Sequence, residues 1–79
     1  MKHTVIFLVN NYGETIDISK SELREFMPLT YMTGPNINST YVVLTANYNL
    51  IGKAKSVLYN LLMEKQAKEL LDIQVIAML

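Results

Sequence analysis

Two stretches of this chain are apolar on both sides of an extended strand. In residues 4–10, Val5, Phe7 and Val9 project one way and Ile6 and Leu8 the other. In residues 40–46, Val42, Leu44 and Ala46 oppose Tyr41 and Val43. A sheet face that meets water alternates apolar with polar, so strands apolar on both faces belong inside a sheet. A third run, residues 73–79, sets Ile73, Val75, Ala77 and Leu79 on one face and Ile76 and Met78 on the other.

The segments between these runs carry turn and helix signals. Asn10, Asn11, Tyr12, Gly13 and Glu14 form a turn cluster, with Gly13 able to take positive φ. Residues 15–18 alternate, with Ile16 and Ile18 against Thr15 and Asp17, as a short strand or an extended linker. Ser19 with Glu22 three positions on fits a capping box. It predicts a short helix over about 20–27, with Leu23, Phe26 and Met27 as its apolar stripe, which Pro28 stops. Residues 29–33 suit a short strand, and Gly34, Pro35, Asn36, Ile37 and Asn38 a turn. Asn47 or Asn49 can cap the next helix. That helix is predicted over about 50–71, with Ile51, Ala54, Val57, Leu58, Leu61 and Leu62 as a wide apolar stripe. Glu64 and Lys68 form a favourable pair on its polar side.

The resulting order is strand, helix, strand, strand, helix, strand. It predicts a single α+β domain over residues 1–79, with one four-stranded, mainly antiparallel sheet and two helices on one face. The pattern resembles the split βαβ, or ferredoxin-like, βαββαβ arrangement, whose first and third strands are central. The alternative, ββαβαβ, pairs residues 4–9 with 15–18 as an N-terminal hairpin.

Composition narrows what such a domain can do. With 79 residues, the chain buries only about two-thirds of the surface its unfolded form exposes. It has no cysteine, so neither a disulfide framework nor a thiolate metal site is open to it. Seven basic residues balance seven acidic ones, so copies do not repel one another. Apolar residues make up 51% of the chain and charged residues 18%, well below the roughly 25% charged of an average domain. Two helices cover only one sheet face, so part of the apolar excess is left on the other.

No cofactor, metal site or catalytic set is expected. His3 stands at the chain start without a paired nucleophile and carboxylate. The seven carboxylates are scattered, and Asp17 among isoleucines reads as a solvent-facing strand residue. No apolar run approaches the roughly 20 residues that span a bilayer. The run from Val5 to Val9 is too short for a signal peptide and lacks a small-residue cleavage site. A cytoplasmic location is therefore expected. The sequon Asn38-Ser39-Thr40 then reads as turn chemistry.

The expectation is a non-enzymatic protein-interaction module: a regulatory subunit, adaptor or inhibitor that homodimerises or binds a larger protein through the uncovered sheet face. Ile6, Leu8, Tyr12, Tyr41, Ile76 and Met78 are its predicted contacts. A second class is nucleic-acid binding. Asn49, Gly52, Lys53 and Lys55 open the long helix, where free N–H groups, a glycine and two lysines suit an anion. Ile6-Phe7-Leu8-Val9-Asn10 is similar to the first-strand motif of the RNA-recognition motif family, and Ser21-Glu22-Leu23-Arg24-Glu25-Phe26 to that family's first helix. The third strand departs from it. The family carries a basic residue, a glycine and two further aromatics there, and residues 38–46 offer only Tyr41. The resemblance implies a single-stranded RNA ligand stacked on Phe7 and Tyr41, with Lys53 and Lys55 near its phosphates.

Overall fold

The computed structural model describes residues 1–12, 21–63 and 72–79. Its elements are β1 (Lys2–Asn10), a 3₁₀ segment (Ser21–Phe26), β2 (Thr30–Thr33), β3 (Ser39–Asn47), a short 3₁₀ turn (Tyr48–Leu50), α1 (Ile51–Met63) and β4 (Asp72–Met78). They form an α+β fold with a single four-stranded sheet in the order β2-β3-β1-β4. Every neighbouring pair is antiparallel. β1 and β2 therefore run in the same direction with β3 between them, and β3 and β4 do so with β1 between them.

The runs apolar on both faces, β1 and β3, are the two central strands. Their register sets Val5 against Leu44, Phe7 against Val42 and His3 against Ala46 on the inner face. All of these except His3 are buried. Leu23 and Phe26 from the 3₁₀ segment and Ala54 and Leu58 from α1 close over them, each removed from solvent. Ile51, Val57 and Leu61 flank the helix contribution, as their spacing predicts. Ile73 joins the same core from β4, across from Val9. The Ser21–Phe26 segment and α1 thus lie on the inner side of the sheet.

Several expectations change. The first helix is a single 3₁₀ segment rather than an α-helix. Its two anchors, Leu23 and Phe26, stand three apart, the period at which 3₁₀ side chains align. Asn47 precedes the Tyr48–Leu50 turn without a side-chain capping bond. β4 does not keep strict alternation: a bulge at Ile76 shifts its register between Ile6 and Phe7. Val75 pairs with Phe7, Ala77 with Ile6 and Met78 with Val5. Ala77 thereby moves to the outer face, and Met78 to the inner one. Gly13, Asp17, the 15–18 hairpin partner, the Ser19 cap, the Glu64–Lys68 pair and the helix beyond 63 lie outside the described residues.

The β2–β3 turn is built by side chains that its sequence supplies. Asn36 Oδ1 accepts from the Asn38 N–H at 2.9 Å, and Ser39 Oγ donates to the Asn36 carbonyl at 3.2 Å. Gly34 donates its N–H to the Ser39 carbonyl at 3.1 Å, so close that a Cβ on Gly34 would lie 2.5 Å from Ser39 Oγ and 2.8 Å from its carbonyl oxygen. Gly52, in the first turn of α1, has nothing within 4 Å of an added Cβ. Gly34→Ala is expected to cost about 1–3 kcal/mol through overpacking. Gly52→Ala is expected to add about 0.5–1 kcal/mol by restoring helix propensity. Urea denaturation midpoints of the two variants should move in opposite directions.

Candidate interaction surface

The outer face of the sheet follows from the same registers. Thr30, Val43, Ile6 and Ala77 form one row across all four strands. Met32, Tyr41, Leu8 and Gln74 form the next. Thr45 and Thr4 lie to one side of these rows, with Leu79 beyond them. Leu79 belongs there because it exchanges backbone hydrogen bonds with Thr4 at 2.7 and 3.1 Å. Ser39, Asn10 and Asp72 lie to the other side. The apolar residues make a diagonal band from Leu79 on the β4 side to Met32 on β2.

The band separates two polar corners of different character. One carries the hydroxyls of Thr4, Thr30 and Thr45. Together with Pro28, Leu29 and Val43 these residues line a pocket of about 180 Å³. Thr45 Oγ1 donates to the Pro28 carbonyl at 3.4 Å across its floor. The opposite corner is an acceptor site. Asp72 Oδ2 receives Gln74 Nε2 at 2.9 Å and Asn10 Nδ2 at 3.5 Å. The exposed Asp72 carboxylate keeps further lone pairs for another donor. Beneath that corner, Thr40 Oγ1 donates to Oδ1 of the buried Asn11 at 2.9 Å and ties the end of β1 to β3.

Of the predicted contacts, Ile6, Leu8 and Tyr41 lie together on this face and are partly exposed. Ile76 is the exposed bulge residue beside them. Met78 is not on this face, because the bulge turns it to the inner side across from Val5. Tyr12 is exposed with φ 52°, but it sits past the sheet end, where its N–H donates to the Asn38 carbonyl at 2.9 Å. Val43 shares this face with Tyr41, as alternation within the strand predicts, and Met32, Ala77 and Leu79 belong to it without having been predicted. Strand periodicity gives faces within a strand, whereas the memberships of these three come from cross-strand register and the bulge.

The nucleic-acid grouping does not assemble. Phe7 is fully buried on the inner face against Val42, while Tyr41 is on the outer face, so the two rings cannot stack on one strand of bases. Lys53 Nζ is 2.7 Å from Glu25 Oε1, an ion pair that links α1 to the 3₁₀ segment. Asn49 lies in the 3₁₀ turn, and the Ile51 N–H already bonds the Tyr48 carbonyl, which takes up one of the amides an anion would need. Lys55 sits with Ser56, Tyr59 and Asn60 along an open helix surface, and Gly52 is exposed nearby.

Among the described residues, no three histidine, aspartate or glutamate side chains come together to hold a metal ion. Nor is any described helix long and apolar enough to cross a membrane. Comparison with family models, curated proteins and solved structures finds no match for this chain.

Phe7 and Tyr41 should separate cleanly in stability measurements. Phe7→Ala empties the core and is expected to cost about 3–5 kcal/mol. Tyr41→Ala removes only a cross-strand contact and is expected to cost about 1 kcal/mol or less. Urea titrations followed by circular dichroism check both values.

Proposed function

We propose that this chain is a non-enzymatic interaction module that buries its outer sheet face against another protein, a second copy of itself foremost. One observation carries this reading. Two adjacent cross-strand rows are dominated by apolar side chains, and the Ser21–Phe26 segment and α1 pack on the opposite side of the sheet. Continuous apolar surface of this kind marks association sites. A zero formal charge removes long-range repulsion between copies. The strand order and directions support a ferredoxin-like reading of the fold, with the Ser21–Phe26 segment in the place of the first helix. A role as regulatory subunit, adaptor or inhibitor in the cytoplasm fits a module whose chemistry is confined to one face.

Ile6→Asp places a charge at the centre of the band and is expected to convert a dimeric mass to a monomeric one in size-exclusion chromatography with light scattering. Met32→Lys, on the exposed edge strand, does the same with less risk to the fold. Circular dichroism of both variants should match the parent. A parent protein that stays monomeric at millimolar concentration and captures no protein partner would sink this reading.

A further inference from the structure

We draw no further inference here: the strongest candidate, the diagonal apolar band that crosses the outer face of the sheet from Leu79 to Met32, is an unpartnered surface, and nothing in the structure shows what covers it.

Discussion

β1 is paired along both edges, and the fold is arranged around it. β3 lies on one side over the whole of Lys2–Asn10, and β4 on the other from Val5 to Asn10. This double pairing satisfies the backbone of a strand that is apolar on both faces. It also fixes which side chains share a face on three of the four strands. The inner face then takes Val5, Phe7 and Val9 as the floor of the core, and Leu23, Phe26, Ala54 and Leu58 as its roof. In a chain without a disulfide, that one layer of contact supplies most of the stability.

The outer face is a consequence of the same arrangement. A central strand has two faces, and a single layer of helical elements covers one. Ile6, Leu8, Tyr41 and Val43 remain at the surface because their neighbours in the chain are needed inside. The polar residues around them are not a uniform rim. Hydroxyls collect at one corner and a carboxylate with two amides at the other.

The interior of the fold was legible in the sequence because it rests on periodicity. Both two-faced runs became central strands, and of the stripe its spacing selects α1 buries Ala54 and Leu58 and half-buries Ile51, Val57 and Leu61. The turn at 34–38 formed where glycine, proline and asparagine cluster. What the sequence did not reveal depends on register. The bulge at Ile76 leaves no signature in an unbroken apolar run, yet it exchanges the faces of Ala77 and Met78. Phe7 and Tyr41 each look suited to stacking when read alone. Only the pairing of Phe7 with Val42, and of Leu8 with Tyr41, shows that they face opposite ways. Lys53 looked free for an anion, and its neutralisation by Glu25 required a contact between segments far apart in the chain.

The ladder between β1 and β4 joins residues that are all distant in the chain, its nearest pair, Asn10 and Asp72, being 62 positions apart. Closing so long a loop delays the pairing, because its entropy must be lost before the ladder returns any energy. A growing chain can dock β1 on β3 and cover the inner face long before β4 has been made. In that interval one edge of a strand apolar on both faces stands open, a template for any other strand that meets it. The rate at which β4 closes that edge, rather than the final stability of the domain, then decides how much of the chain escapes aggregation when it is made at high concentration.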